Sequence, residues 1–264
     1  MVKYMTDNIA ISVKNLNVGY DNNLIINNMN LDIPKGKISI IIGSNGCGKS
    51  TLLKSMGRMI KPTAGEVYIN DTSIKKYKDK DLAKTMAILP QTPKCPDSIT
   101  VKELVGFGRY PYQSAMCGMS KEDNSIVEDA IEKTELTDYK NRGVSTLSGG
   151  QRQRAWIAMT LAQDTDIILL DEPTTYLDMA YQLEILTLLK KLNEEKGTTI
   201  VMVLHELNLA CKFADNIIGL KKGSVICQGR PADVITAECL KVIYGIDACL
   251  IKSENEYPIC IDFR

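Results

Sequence analysis

Gly43-Ser44-Asn45-Gly46-Cys47-Gly48-Lys49-Ser50-Thr51 decides the reading of this chain. The run Lys37–Ile42 before it is short, apolar and β-branched, the mark of a strand buried on both faces. Leu52, Leu53 and Met56 after it recur at helical spacing. The nine residues therefore join a strand to a helix, and the first eight, Gly43 to Ser50, fit the pattern G-x-x-x-x-G-K-S/T. A loop of that kind turns its main-chain N–H groups inward, as an anion nest at a helix N-terminus. Glycine supplies the unusual φ angles and the close approach of backbone to phosphate. Lys49 is expected to reach the β- and γ-phosphates of a nucleotide, the Ser50 hydroxyl to ligate Mg²⁺, and Thr51 to lie near the α-phosphate. Cys47 has no chemical role in this reading beyond small size.

Working outward, Ile9–Tyr20 alternates loosely as a strand, Asp32–Gly36 is a turn, Pro62–Gly65 another, and Glu66–Ile69 a further short strand. Ala87–Pro90 reads as a strand with Gln91 leaving its end. Ile167–Leu170 is a buried strand running into Asp171-Glu172-Pro173, and Thr199–Leu204 another that ends at His205, the only histidine. Between them, Met179–Lys196 carries Ile185, Leu188, Leu189 and Leu192 on one helical face and stops at Gly197. Strands alternating with helices imply a mainly parallel sheet, which binds ligands at the carboxyl ends of its strands. From about Pro93 to Asn141 the chain turns polar and helical, with Val101–Gly108 and Asn124–Lys133 as helices, an inserted helical subdomain.

Strand ends are where the remaining chemistry belongs. Asp171 is placed to bind Mg²⁺ directly or through water. Glu172, pointing elsewhere, is placed as the base that polarises an attacking water, a role worth about 10²–10⁴ in rate. His205 would donate to the γ-phosphate, and the Gln91 amide would touch both metal and water. Leu147-Ser148-Gly149-Gly150-Gln151 precedes a helix with Ala155, Met159 and Ala162 on one face. Ser148-x-x-Gln151 fits a capping box. Capping does not require two adjacent glycines, which suit a second anion nest. One chain needs only one phosphate loop, so the second nest makes sense if it serves a nucleotide held by a partner copy.

Composition bounds the partners. Over 264 residues, 44% are hydrophobic, enough for a large α/β domain. Lys plus Arg (32) balances Asp plus Glu (32), which gives no electrostatic reason to expect nucleic acid. Met1–Ala10 is polar, unlike a signal peptide, and no apolar run approaches a bilayer span, so membrane association is expected through another protein. Eight cysteines include no C-x-x-C pair, arguing against zinc, and read as small buried residues in a reducing cytosol.

Together these motifs resemble the ATP-binding subunit of ABC transporters across nearly the whole chain. Gly43–Thr51 resembles the Walker A loop, Gln91 the Q-loop glutamine, Leu147–Gln151 the signature, and Ile167–Glu172 Walker B with its catalytic glutamate. Leu177-Asp178 resembles the D-loop, His205 the H-switch, and Tyr20 the aromatic that stacks on adenine. The resemblance implies a P-loop NTPase core with a mainly parallel sheet, an antiparallel β subdomain and an inserted helical subdomain. Residues 1–91 and 160–264 would form the RecA-like core plus β subdomain, and about 92–159 the helical signature subdomain. It implies ATP and Mg²⁺ as ligands and a head-to-tail dimer, each ATP clamped between one Walker A loop and the other copy's Ser148–Gln151. It also implies a polytopic membrane permease on the cytoplasmic face of the cell membrane and, indirectly, an extracytoplasmic binding protein. Asp171–Gln182, Gly108–Tyr112 and Ile243–Asp247 resemble importers of ferric siderophores, haem and cobalamin, with Gly106–Tyr112 in the groove that receives the permease's coupling helix. The chain stops soon after Asp247, where sugar- and methionine-type importers carry a further domain. Glu206 stands where Asp is common and Ser44 where Pro is common; neither change removes a ligand. A soluble ABC protein of iron–sulfur assembly is the alternative, and one acting on ribosomes or DNA would show tandem domains, coiled coils or basic patches.

Overall fold

In the computed structural model, which describes residues 8–20, 23–96, 98–113, 118–175 and 177–264, the chain begins with the strands β1 (Ile9–Tyr20), β2 (Asn23–Pro34) and β3 (Ile38–Gly43). Then come α1 (Lys49–Met56), β4 (Ala64–Ile69), β5 (Thr72–Ser73), α2 (Asp79–Thr85) and β6 (Met86–Leu89). A helical run follows: α3 (Val101–Gly106), a 3₁₀ segment (Phe107–Tyr112), α4 (Lys121–Lys133) and α5 (Gly149–Ala162). The chain then resumes alternation with β7 (Ile167–Asp171), α6 (Met179–Lys196), β8 (Thr199–Val203), α7 (Leu207–Phe213), β9 (Asn216–Lys221) and β10 (Ser224–Gly229). It closes with α8 (Pro231–Val234), α9 (Ala237–Tyr244) and the hairpin β11 (Ala248–Lys252) and β12 (Pro258–Phe263).

Two sheets share the load. One is antiparallel, in the order β2-β1-β4-β5. The other has the order β10-β9-β3-β8-β7-β6, parallel from β9 to β6 with β10 antiparallel at its edge. β3, β7 and β8 are buried at every residue, which is why each reads as an unbroken apolar run. Successive side chains still go to opposite faces. Ile40, Ile42, Ile168, Leu170, Ile200 and Met202 join the helices α3 to α6 in one core. Ile41, Ile167, Leu169, Val201 and Val203 join Leu52, Leu53 and Met56 of α1 and the apolar side of the antiparallel sheet in a second.

The structure adjusts several boundaries. The expected helix from Val101 to Gly108 is α-helical only to Gly106 and tightens to 3₁₀ from Phe107 through Tyr112. The helix expected from Asn124 starts at Lys121, because Ser120 and Asp123 cap it reciprocally. On α6 the buried positions are Ile185, Leu186, Leu189 and Asn193; Leu188 and Leu192 are only half-buried and line a groove with Ile126 and Leu161. The cysteines divide: Cys47 and Cys211 are buried, Cys249 is exposed, and Cys117 lies outside the described residues, so the expectation of uniformly buried cysteines fails.

Arg109 ties the helical layer together. It is 5% exposed, and its Nε donates to Asp123 Oδ1 at 2.9 Å while Nη1 donates to the Ala162 carbonyl at 2.9 Å. Hydrogen bonds from Ser120 and from Arg109 hold the Asp123 carboxyl below the usual carboxylate range. Breaking a buried pair from one side leaves an unpaired charge. Arg109→Met is therefore expected to lower unfolding stability by about 3 kcal/mol in urea titrations at pH 7. Because the Asp123 pKa is depressed in the folded state, the unsubstituted chain should lose this contribution only as pH falls below the carboxylate range. Equal urea midpoints at pH 7 would show that the pair contributes nothing.

Candidate nucleotide site

Register brings the candidate residues to one sheet edge. Leu89 pairs with Leu170, Asp171 with Val203, and Ile41 with Val203, so β6, β7 and β8 end within a residue of one another and β3 runs two residues further at the same end. Gln91, Glu172, His205 and the loop after Gly43 all leave from that edge. β6, β7 and β8 are also consecutive in the sheet, which lines up Gln91, Glu172 and His205 although the first and last are 114 positions apart in sequence.

The loop itself is half open. Ser44, Asn45 and Gly46 are exposed, and Cys47, Gly48 and Lys49 are buried. Gly48 has φ 107°, a left-handed value that disfavours any side chain. Lys49 Nζ spans the loop, donating to the carbonyls of Gly43 at 2.8 Å and Ser44 at 3.1 Å. Ser50 Oγ donates to Asp171 Oδ1 at 2.8 Å. Thr51 is buried on the first turn of α1. Burial pushes the Asp171 carboxyl up, against the Ser50 hydrogen bond and Lys54. Its Oδ2 is buried with no hydrogen-bond partner; Lys54 Nζ approaches to only 4.0 Å. A buried carboxylate oxygen without a donor, beside a serine hydroxyl, fits a cation ligand set.

Glu172 is the hub. Its φ of 56° puts a non-glycine residue in the left-handed region directly after β7. That reversal separates two neighbouring acids: Asp171 goes to Ser50, and Glu172 to the other side. Gln91 Nε2 donates to Glu172 Oε2 at 2.7 Å, Thr175 Oγ1 to the same oxygen at 3.1 Å, and His205 Nε2 lies 2.7 Å from Oε1. Burial pushes the Glu172 pKa up, but these hydrogen bonds and His205 outweigh it, and the carboxyl sits below its ordinary range. Gln91 and His205, expected on metal, water and phosphate, are thus drawn to Glu172 in this state. Thr175 is a partner that the sequence reading missed; a hydroxyl three residues from an acid at a strand end was the available signal.

The remaining candidates lie apart from this cluster. Ser148 and Gln151 form the expected capping box, with Gln151 N–H donating to Ser148 Oγ at 3.2 Å and Ser148 N–H to Gln151 Oε1 at 3.1 Å. Ser148 and Gly149 are exposed, and nothing lies within 4 Å of where a Gly149 side chain would begin, while Gly150 abuts Leu177. Asp178 is exposed and caps α6 by accepting from Tyr181 N–H at 3.1 Å. Tyr20 ends β1 at 47% exposure. Its hairpin partner β2 carries Ile25 and Ile26, which pack against Gly48 of the loop. Of Gly106–Tyr112, Gly106, Gly108 and Arg109 are buried, whereas Phe107 is 50% and Tyr110 74% exposed.

A family model described as ABC transporter matches residues 26–175. The chain is 50% identical to the iron(3+)-hydroxamate import ATP-binding protein FhuC of Bacillus subtilis (strain 168), over 96% of this chain and 95% of that protein. It is 45% identical to the ferric enterobactin transport ATP-binding protein FepC of Escherichia coli (strain K12), over 94% of this chain and 92% of that protein. The dimeric structure of MJ0796, a bacterial ABC transporter cassette, superposes with a TM-score of 0.75 at 36% identity, covering 83% of this chain and 98% of that one.

Proposed function

This chain belongs to the ABC transporter family as an ATPase, and from that premise we propose that it drives an importer of ferric siderophores or a related iron chelate, haem or cobalamin. The hydrolytic part rests on one observation: Glu172 is held at the sheet edge by Gln91, Thr175 and His205, beside a phosphate loop. The cargo class rests on the full-length likeness to the hydroxamate and enterobactin import proteins.

The chemistry follows from the residues. The N–H groups of 44–51 take the phosphates, and Lys49 exchanges its two carbonyl acceptors for β- and γ-phosphate oxygens. Tyr20 stacks on adenine. Ser50 and Asp171 would hold Mg²⁺, with Gln91 as a further ligand. That ion, when bound, neutralises charge on the transferred phosphoryl group. Glu172 is ionised and orients the attacking water, taking its proton. Both of its oxygens are engaged in this state, and a turn of Gln91 or His205 toward a bound nucleotide would free a further acceptor position for the attacking water. Closure supplies that change: the partner copy's signature loop (Ser148 to Gln151) covers the γ-phosphate, and Asp178 lies along the seam. Hydrolysis is then conditional on assembly.

No helix among the described residues is long and apolar enough to cross a membrane. The chain works on the cytoplasmic face, docked on a polytopic permease fed by an extracytoplasmic binding protein. Residues 1–91 and 160–264 serve as the core with its β subdomain, and 92–159 as the helical subdomain carrying the dock. Phe107 and Tyr110 are the apolar groups that this surface presents. Replacing both by glutamate should reduce co-purification with the permease at least ~tenfold while ATP binding by the chain is unchanged. Undiminished co-purification places the dock elsewhere, and the absence of any polytopic partner for the unsubstituted chain favours the soluble iron–sulfur-assembly alternative.

A further inference from the structure

The phosphate loop is gripped from the C-terminal part of the chain. The main-chain N–H of Gly43, the loop's first residue, donates to the hydroxyl of Tyr244 at 3.1 Å, across 201 positions of sequence. Gly43 is buried, with φ 149°, and a side chain there would begin 2.4 Å from the Leu220 carbonyl. On the other side, Gly223 N–H donates to the Cys47 carbonyl at 2.9 Å. The loop backbone is thus anchored at its entry and its middle by β9, the β9–β10 turn and α9.

The placement of Tyr244 follows from how α9 is seated. Thr236 caps the helix start, accepting from Cys239 N–H at 3.1 Å, and Gly245 in the left-handed region ends it at Tyr244. Leu240 and Ile243 are buried beneath it. Gly219 on β9 lets the helix come close: a side chain there would begin 2.5 Å from Ile243 Cδ1 and 2.6 Å from Cys227 Sγ. Cys239 Sγ meets Cys227 Sγ at 3.1 Å, which adds a contact between α9 and β10. The helix end is therefore fixed against β9, which neighbours β3, and its tyrosine reaches the strand end from which the loop departs. Burial pushes the Tyr244 hydroxyl up to about 12, so it stays neutral and able to accept throughout the physiological range.

We propose that Tyr244 is a positioning residue for nucleotide binding: by accepting the Gly43 N–H it sets where the phosphate-binding loop leaves β3. The role deepens the ATPase reading and rests on it. The loop contacts the phosphates in ground and transition states alike, so a shift at its base weakens both equally. Uniform loss of that kind raises KM and leaves kcat in place.

The test is Tyr244→Phe in the full chain, with ATP titrated calorimetrically and steady-state hydrolysis measured. The expected result is a rise in Kd and KM for ATP of about tenfold, with kcat within about twofold. Val127→Ala, which removes buried methyl groups in α4 away from the loop, should lower the melting temperature and leave KM unchanged. If Val127→Ala raises KM as much as Tyr244→Phe does, the tyrosine acts only through stability and the proposal falls. Lys49→Ala separates the two readings. Should it bind ATP as tightly as the unsubstituted chain, the site itself is wrong and the tyrosine's role falls with it. Should it lose ATP while Tyr244→Phe binds and turns over normally, only the tyrosine's role is overturned.

Discussion

Glu172→Gln should bind ATP as tightly as the unsubstituted chain and release phosphate about 10²–10⁴ times more slowly. The amide keeps an oxygen for the His205 contact and nearly the same volume, so the fold and the loop are undisturbed. What it lacks is the basicity to take a proton from water. The carboxyl it replaces is held ionised by Gln91, Thr175 and His205, which pull its pKa down against the effect of burial. Its work is therefore that of a base rather than an acid at neutral pH. A second consequence follows from the proposed shared site: with both ATPs bound and neither hydrolysed, the closed pair should persist. Size-exclusion chromatography with ATP should show a dimer for Glu172→Gln and mostly monomer for the unsubstituted chain. Turnover like that of the unsubstituted chain would remove Glu172 from the base role, and Asp171, the neighbouring acid, would be the next candidate.

Ser148→Arg should abolish hydrolysis, by at least ~10² in rate, without weakening ATP binding to the monomer. Ser148 is exposed, and among the described residues its hydroxyl is committed only to the Gln151 N–H. No contact joins it to Gly43–Thr51 of the same chain among the described hydrogen bonds, so an arginine there has nothing to disturb in the monomer's nucleotide site. In the closed pair proposed above, the same arginine would lie where the γ-phosphate of the other copy must fit, and its bulk would hold the two surfaces apart. The decisive comparison is ATP affinity at chain concentrations too low for pairing. A fall in that affinity equal to the fall in turnover would make Ser148 a structural residue of its own chain's site, and the shared-site reading would be lost.

The candidate site was legible wherever chemistry is written in adjacent residues. The strand, loop and helix around Gly43–Thr51, the apolar run into Asp171, and the run ending before His205 are local patterns. Short length and β-branched content, rather than any period, mark those apolar runs as buried strands. The capping box at Ser148 and Gln151 was likewise readable from spacing alone, and it is present. Less legible was the divergence of Asp171 and Glu172. It depends on a left-handed backbone at Glu172, a conformation that a non-glycine residue adopts only when its surroundings hold it there. Arg109 shows the same limit from another side. In sequence it belongs to a surface-looking stretch, Gly108–Tyr112, and only packing against α4 and α5 buries it.

By itself the sequence determined which backbone segments become β3, β7, β8, α1 and α6, and it placed a phosphate cradle, two acids and a histidine at strand ends. It did so because hydrophobic period, glycine and capping residues act over a few positions, within reach of local sterics and hydrogen bonding. The tertiary structure alone decided that β6, β7 and β8 stand side by side so that Gln91, Glu172 and His205 meet. It alone brought α9 against β9 so that Tyr244 takes the Gly43 N–H. Those contacts span 81 and 201 positions of chain, and which distant segments meet is set by the burial of whole faces rather than by any residue's neighbours.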